Sequence, residues 1–268
     1  MTSATAAPRR MPARILLTND DGIDGEGLAV LEQIARELAP EVWVVAPSRD
    51  SSGGSTALTI RRPLRVHELG PRRYKVDGTP ADCVAVALSY LMPEAKPDLV
   101  LSGINRGANL AEEVIYSGTV GAATTAQLMG IPAIALSQTF RDPAFIPWDT
   151  PRTLAPAMLR RLIEAGWPGD VTLSLNFPDC AADEVRGARL TRQGRGMIGG
   201  IRIESTVDHH GDTDLWLRFD RAGLDRTEDC DIQALRDRHV SVTPLGVDRS
   251  WAGDRAPLAA LAQGLIDR

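Results

Sequence analysis

The sequence has few of the features that mark a disulfide-bonded, membrane-spanning or nucleic-acid-binding protein. Its 268 residues include three cysteines, Cys83, Cys180 and Cys230, which lie far apart and provide neither a disulfide framework nor a metal-binding spacing. No apolar run reaches the length needed to span a membrane. The formal net charge of -5 argues against a globally basic surface for a nucleic-acid polymer. We therefore expect a cytoplasmic protein whose partners include neither a membrane nor a nucleic-acid polymer.

The composition is that of an ordinary globular chain. Hydrophobic residues make up 43% of it and charged residues 24%. The length fits one large domain, or one domain with an extension. The start of the chain is small, polar and basic and lacks an apolar segment, which indicates a disordered tail rather than a signal peptide.

The first half of the chain alternates hydrophobic runs with segments of helical periodicity. The predicted core strands are Arg14–Thr18, Glu41–Ala46, Leu99–Ser102, Pro132–Ser137 and, further on, Val171–Leu175. The predicted helices are Gly25–Leu38, Pro80–Leu91, Ser117–Met129 and Thr150–Ala165. A hairpin-like excursion is predicted from shorter extended pieces at Leu58–Ile60, Leu64–His67 and Tyr74–Val76. This alternation predicts an α/β fold with a doubly wound, mainly parallel sheet.

The second half of the chain is less regular. A β-rich extension or arm is predicted from short extended pieces at Ala188–Thr191, Ile201–Glu204, Leu215–Phe219 and His239–Thr243. A short amphipathic helix is predicted at Ala256–Ile266.

Two adjacent carboxylates end the first predicted strand, in the turn Asn19-Asp20-Asp21-Gly22. The carboxyl end of a buried parallel strand faces the ligand crevice, and two acids there repel each other unless a cation lies between them. A divalent ion such as Mg²⁺ would supply that charge. A surface turn that caps the next helix is the equally weighted alternative.

Polar loops follow two further predicted strands, at Ser48–Ser55 and Ser102–Asn109. In a parallel sheet these strand ends share one edge with Asp20 and Asp21. Carboxylate, hydroxyl and amide oxygens suit Mg²⁺, Mn²⁺ or Ca²⁺, whereas no His–His or Cys–His pairing suggests zinc. The glycines of these loops allow backbone N–H groups to approach an anion. The combination indicates phosphate chemistry.

Several side chains near these loops permit both a functional and a structural interpretation. Arg49 and Arg106 would form a bidentate phosphate clamp. Ser117-Gly118-Thr119 is typical of an N-cap, although a helix N-terminus also favours a phosphate. The segment 78–82, Gly-Thr-Pro-Ala-Asp, is typical of a turn followed by an N-cap.

Six blocks of the sequence, in order and at similar intervals, resemble the signature blocks of the SurE survival-protein family. They are Thr18–Gly22, Val45–Pro47, Ser52-Gly53, Gly78–Cys83, Ser102–Asn109 and Tyr116–Ala123. The resemblance is strong over Arg14–Ser137 and continues weakly through Leu175–Pro178 and Val240–Leu245.

The resemblance implies a Rossmann-like three-layer α/β/α core with a mainly parallel sheet and a C-terminal β-rich extension. It divides the chain into a disordered tail at 1–12, a catalytic core at 13–178, and an extension at 179–268 that ends in the predicted helix. The extension would serve as the arm of a homodimer or homotetramer. Asp231 resembles a family position near this arm, although the bare residue is more typical of a helix cap.

The resemblance also implies an activity and a set of site residues. The activity is that of a metal-dependent phosphatase acting on nucleoside 5′- and 3′-monophosphates, with short polyphosphate as a further substrate. One divalent cation per subunit, Mg²⁺ or Mn²⁺, would be held by Asp20, Asp21, Ser52 and Asn105. Asn109, Ser117, Gly118 and Thr119 would surround the phosphate. Asp20 would act as ligand, base or nucleophile, and the sequence does not distinguish these roles.

The chain departs modestly from the family pattern. The usual Ala-Pro-Gly turn is replaced by Asp24-Gly25-Glu26-Gly27, and the loop at Ser48–Ser51 has less basic content than is often found there. Two other classes of protein compete with the phosphatase. A dinucleotide-binding dehydrogenase is disfavoured because Gly22-x-x-Gly25-x-Gly27 reverses the fingerprint spacing. A non-catalytic metal or nucleotide sensor would show tight binding without turnover.

Overall fold

The computed structural model describes residues 10–250 and Gly253. The strands in these residues are β1 (Arg14–Thr18), β2 (Glu41–Pro47), β3 (Val66–Gly70), β4 (Arg73–Val76), β5 (Leu99–Arg106), β6 (Ala133–Gln138), β7 (Val171–Phe177), β8 (Gly187–Leu190), β9 (Gly200–Val207), β10 (Thr213–Asp220) and β11 (His239–Gly246). The α-helices are α1 (Glu26–Leu38), α2 (Pro80–Val86), α3 (Gly118–Leu128), α4 (Asp149–Ala165) and α5 (Asp231–Arg236). Short 3₁₀ turns lie at Ala111–Ile115 and Ala182–Glu184.

A mixed sheet of nine strands, in the order β3-β4-β2-β1-β5-β6-β7-β11-β8, forms the centre of the described residues. Six consecutive strands of this order run parallel to one another: β4, β2, β1, β5, β6 and β7. β3 is antiparallel to β4, and β11 is antiparallel to β7. The chain runs outward from β1 through β2 in one direction and from β5 through β6 and β7 in the other. The switch point of the sheet therefore lies between β1 and β5, where open α/β sheets bind their ligands.

Apolar cores fill both faces of the sheet. On one face, side chains of α1 and α4 pack with Ile15 and Leu17. On the other face, side chains of α2 and α3 pack with Leu16. Successive residues of β1 thus point to opposite cores, as expected for a strand buried on both sides. This arrangement confirms the predicted three-layer α/β/α fold.

Gly27 allows α1 to pack directly on β5. A Cβ added at this position would lie 1.9 Å from the carbonyl oxygen of Ile104, a distance that no side chain can adopt. The glycine of the Asp24-Gly25-Glu26-Gly27 departure therefore has a packing role.

Two local predictions are wrong. Leu58–Ile60 forms no strand, because Thr59 instead bonds to Asp82: its N–H donates to Oδ1 (2.8 Å) and its hydroxyl donates to Oδ2 (2.7 Å). The helix predicted over Pro80–Leu91 changes geometry, since α2 ends at Val86 and continues as a π-helical turn over Ala87–Leu91. Two predicted segments lie outside the described residues: the helix at Ala256–Ile266 and residues 1–9 of the tail.

The second half of the chain contributes to two different sheets. β8 and β11 extend the central sheet beyond β7, whereas β9 and β10 form a separate antiparallel ribbon. Within the predicted extension at 179–268, the ribbon is thus the part that matches the expected arm. The division of the chain into a tail, a core and an extension stays a prediction. In the part of the chain that the structure describes, no helix is both long and apolar enough to cross a membrane.

Candidate active site

Asp20 is the buried centre of the candidate site. It follows β1 directly and is only 3% exposed. Thr119, in the first turn of α3, holds both carboxylate oxygens: its hydroxyl donates to Oδ1 (2.5 Å) and its N–H donates to Oδ2 (3.1 Å). Each oxygen keeps a further lone pair for a ligand. The carboxylate therefore has a fixed orientation at the switch point of the sheet.

Asp21 lies beside Asp20 and contacts the end of β5. Its Oδ2 accepts a hydrogen bond from the backbone N–H of Arg106 (3.1 Å). Burial, reinforced by the charge of Asp20, raises the pKa of Asp21 to about 6. Burial likewise raises the pKa of Asp20, against the hydrogen bonds from Thr119. The protein alone thus leaves both carboxylates short of positive charge, as expected at a cation site.

The loop after β2, which carries Ser52, contacts Asp20 through the neighbouring Ser51. The N–H of Ser51 donates to the backbone oxygen of Asp20 (2.8 Å), and the N–H of Ser52 donates to Oδ1 of Asp50 (2.7 Å). The negative charge of Asp50 contributes to the raised pKa of both Asp20 and Asp21. The Ser52 side chain is exposed at this edge of the sheet.

Asn105 lies near the carboxyl end of β5, one residue before the backbone N–H that binds Asp21. Its Nδ2 donates to the carbonyl oxygen of Gly107 (2.9 Å), so Oδ1 is the amide atom that remains for a ligand. Asp20, Asp21, Ser52 and Asn105 therefore come from three adjacent strand ends, as the sequence predicts.

These residues fit a hard divalent cation. The donors are two carboxylates, a hydroxyl and an amide oxygen, which match the preferences of Mg²⁺ and Mn²⁺. Among the described residues, no group of three or more His, Cys, Asp and Glu side chains is arranged to hold a metal. A site here would thus depend on the Ser and Asn oxygens as well as on the paired acids.

The Asn109 side chain is buried and belongs to a network of hydrogen-bonded polar side chains. Its backbone N–H donates to Oδ1 of Asn176 (2.8 Å), and its Nδ2 donates to the hydroxyl of Ser137 (2.8 Å). Asn176 in turn donates to the carbonyl oxygen of Asn109 (3.2 Å). This network joins the loop after β5 to the ends of β6 and β7.

Ser117 is the N-cap of α3, which confirms the structural interpretation of the segment Ser117-Gly118-Thr119. Its hydroxyl accepts a hydrogen bond from the N–H of Val120 (3.0 Å). Gly118 follows and lies against Asp20, since an added Cβ would be 2.8 Å from the Asp20 Cβ. The amino end of α3, which carries partial positive charge, therefore faces the paired carboxylates.

The segment 78–82 forms the predicted turn and N-cap. Thr79 caps α2 by accepting from the N–H of Asp82 (3.0 Å), and Asp82 accepts in return from the N–H of Thr79 (2.9 Å). Together with its bonds to Thr59, this makes Asp82 a buried structural residue.

The Arg106 guanidinium, predicted to clamp a phosphate, contacts the loop after β6. It donates to the carbonyl oxygen of Pro143 (2.8 Å) and lies 5.3 Å from the centre of the Phe140 ring. Its positive charge nevertheless partly offsets the burial that raises the pKa of Asp21, and the backbone N–H of Arg106 binds the same residue, so the phosphate clamp stays a prediction. Arg49 lines a polar cavity with Ser48, Ser51, Arg62 and Thr79.

Sequence reasoning missed two long-range contacts that shape the site. The Thr119–Asp20 pair joins positions 99 residues apart, and only the presence of Thr119 in a signature block hinted at a role.

The second contact is made by the Asp231 carboxylate, which accepts hydrogen bonds from the N–H groups of Ala111 (2.9 Å) and Gly194 (2.9 Å). Asp231 thus anchors the turn after Asn109 to the second half of the chain. Burial raises the pKa of Asp231. Cys230, rather than Asp231, occupies the N-cap position of α5.

Comparison with known proteins confirms the resemblance. The family model described as survival protein SurE matches residues 15–199. A relative from Burkholderia lata, named 5′-nucleotidase SurE 1, is 53% identical over 237 residues, which cover 88% of this chain and 92% of the relative. A relative from Brucella anthropi, named 5′-nucleotidase SurE, is 48% identical over 257 residues, which cover 95% and 98%. The crystal structure of the SurE protein from Aquifex aeolicus matches with a TM-score of 0.79 at 35% identity, covering 93% of this chain and 99% of that one. The chain therefore belongs to the SurE survival-protein family.

Proposed function

We propose that the protein is a divalent-metal-dependent phosphatase that hydrolyses nucleoside 5′- and 3′-monophosphates, with short polyphosphate as a further substrate. The observation that carries this proposal is the pair Asp20 and Asp21 at the sheet's switch point, facing the amino end of α3. The names of the Burkholderia and Brucella relatives support a nucleotide as the substrate.

One Mg²⁺ or Mn²⁺ ion per subunit would be held by Asp20, Asp21, Ser52 and Asn105. When bound, the ion would polarise the phosphoryl oxygens and offset the negative charge that develops during transfer. Thr119 orients Asp20 through two hydrogen bonds, which supports a ligand role for this carboxylate. The raised pKa of Asp20 and Asp21 means that protons compete with the cation for these oxygens.

The phosphate would bind at the amino end of α3. The first N–H groups of a helix lack intrahelical acceptors and favour an anion. The N–H of Thr119 already binds Asp20, and the N–H of Ser117 binds the carbonyl oxygen of Glu113. The N–H of Gly118 and the hydroxyl of Ser117 would therefore be the donors nearest the phosphate. Asn109, held by Asn176 and Ser137, would border the same space from the β5 side.

A phosphate-release screen tests the proposed function. Purified protein is incubated with nucleoside 5′- and 3′-monophosphates and polyphosphate, with Mg²⁺, Mn²⁺ and other divalent cations in turn. We expect release from nucleoside monophosphates with at least one cation. Tight nucleotide binding with no release under any condition would instead identify the non-catalytic sensor.

Gly118→Ala is expected to lower kcat/KM for a nucleoside monophosphate by about 10²-fold. The new Cβ would lie 2.9 Å from Oδ2 of Asp20 and 3.1 Å from Cγ of Pro80, so the carboxylate must move; displacements of this size misalign a reacting group. Steady-state kinetics measures the effect. Leu128→Ala, at an exposed position of the same helix, is the control. Wild-type kinetics in a folded Gly118→Ala protein would refute this packing role.

We also propose that the ribbon of β9 and β10 is the arm of a homodimer or homotetramer. The strand register places six exposed apolar side chains on one face of the ribbon, whereas the exposed Trp216 lies on the other face. The six are Ile201, Ile203, Val207, Leu215, Leu217 and Phe219. A continuous exposed apolar surface is typical of a protein–protein interface.

The cytoplasmic location remains a prediction. All three cysteines are free, which is compatible with a reducing compartment.

Leu217→Glu is expected to shift the protein toward the 28.9 kDa monomer. Leu217 lies opposite Ile203 at the middle of the apolar face, and a charge buried in an interface without a partner is strongly unfavourable. Light scattering coupled to size-exclusion chromatography measures the mass. Thr206→Glu places the same charge on the opposite face and should leave the mass unchanged. An unaltered oligomer in Leu217→Glu, or a monomeric wild type, would contradict the proposal.

A further inference from the structure

A cavity of about 380 Å³ opens beyond the carboxyl ends of β6 and β7, next to the loop that carries Asn109. Its volume falls within the range of small-molecule sites. Its apolar wall is formed by Leu110, Phe140, Met197, Leu224 and Ile232. Arginines, among them Arg141 and Arg221, lie at the same cavity. Neither the proposed metal site nor the phosphate-binding helix uses these side chains.

The cavity adjoins the candidate metal site across Gly107. A Cβ built on Gly107 would lie 3.8 Å from Nδ2 of Asn105 and 3.9 Å from Cε1 of Phe140. The Phe140 ring and the Asn105 amide therefore flank the same glycine. A ligand of nucleotide size would span the two places, with its phosphate near Asn105 and its other end in the cavity.

Two other cavities border the site but suit a base less well. One, of about 430 Å³, is lined by hydroxyls, two arginines and Asp77, and has no apolar wall. The other, of about 540 Å³, touches Ser117 and has aliphatic but no aromatic lining. Of these three cavities, the Phe140 cavity is the one that combines an aromatic ring with a position at the strand ends, where α/β sheets bind their ligands.

We propose that the Phe140 cavity binds the nucleobase of the substrate, with the base packed against the Phe140 ring. This inference rests on the proposed nucleotidase function. Planar bases stack favourably on aromatic side chains whatever their sequence identity.

The segments that flank the ribbon supply part of the cavity wall. Met197 precedes β9, whereas Arg221 and Leu224 follow β10. The Glu112 carboxylate fixes the first of these segments by accepting from the N–H groups of Gly196 (2.8 Å) and Met197 (3.0 Å). The base would thus lie between the core of the fold and the root of the arm.

The test compares a nucleotide with the same sugar phosphate lacking a base. The ratio of kcat/KM for AMP to kcat/KM for ribose 5-phosphate isolates the contribution of the base. Phe140→Ala is expected to lower this ratio by about fivefold or more, the effect of losing one base–aromatic stack. Leu224→Trp, which narrows the cavity while keeping Phe140, is expected to lower it as well.

Two matched variants complete the test. Phe140→Tyr keeps the aromatic face and should keep the wild-type ratio, and Phe145→Ala, an exposed ring in the same loop, should also keep it. If wild type hydrolyses both compounds equally well, or if Phe140→Ala and Leu224→Trp keep the wild-type ratio, the base site is wrong while the nucleotidase function stands. If wild type hydrolyses neither compound, the proposed function fails with it.

Discussion

Removal of divalent cations is expected to abolish phosphate release from AMP, and Mg²⁺ or Mn²⁺ is expected to restore it. The physical reason is the charge at the switch point. Asp20 and Asp21 lie side by side with Asp50 nearby. Burial raises the pKa of both acids, the charge of Asp20 adds to the shift of Asp21, and the charge of Asp50 adds to both. A negatively charged phosphate would be repelled from this place unless a cation were bound. Transition-state stabilisation by a metal is worth several kcal/mol, so the rate should fall at least about 10³-fold.

The measurement is phosphate release from AMP after treatment with EDTA and removal of the chelator by gel filtration. Readdition of Mg²⁺ or Mn²⁺ in excess then tests recovery, with Na⁺ at equal ionic strength as the control. Full activity in the treated protein would contradict the metal dependence. Recovery with Na⁺ alone would show that charge screening, rather than coordination, limits the rate.

Asp20→Asn is expected to lower kcat/KM for AMP at least about 10³-fold while the fold persists. The change removes one carboxylate from the proposed donor set and with it much of the affinity for the cation. The asparagine amide can keep both contacts with Thr119, because its oxygen accepts from the N–H and its NH₂ group donates to the hydroxyl oxygen, which is also an acceptor. The change also removes a buried charge. We therefore expect a similar Tm and a large kinetic defect.

Steady-state kinetics and thermal unfolding by circular dichroism separate the two effects. Asp24→Asn is the matched control, because Asp24 follows the same turn but is exposed. Its activity should equal that of the wild type. Wild-type turnover in Asp20→Asn would show that the Asp20 carboxylate is not needed for catalysis. An unfolded Asp20→Asn protein would show instead that this carboxylate is essential to the packing of α3.

Much of the fold could be predicted because the parallel strands are buried on both sides. The hydrophobic runs at Ile15–Leu17 and Leu99–Leu101 are continuous, and helical periodicity separates them. In such a sheet the strand ends share an edge, so the polar loops that follow β1, β2 and β5 could be placed together from the sequence. Their oxygen donors then indicated the class of metal, and the family resemblance singled out Ser52 and Asn105 within these loops.

The remaining features depend on contacts between distant segments, which no local pattern encodes. Thr59 forms no strand because Asp82, 23 residues away, binds both its N–H and its hydroxyl. The Arg106 guanidinium binds the Pro143 carbonyl and lies over the Phe140 ring, two partners more than 30 residues away along the chain. β11 lies in the central sheet between β7 and β8 and is antiparallel to β7, although its short extended pattern resembled that of the separate ribbon.

Calorimetric titration of Mn²⁺ into the wild type and into Asp20→Asn tests the central claim most directly, because it measures binding without relying on turnover. The central claim is that the edge between β1 and β5 holds one divalent cation per subunit. We expect one Mn²⁺ site per subunit in the wild type and at least about tenfold weaker binding in Asp20→Asn, as for the loss of a charged ligand. Equal stoichiometry and affinity in the two proteins would contradict the claim.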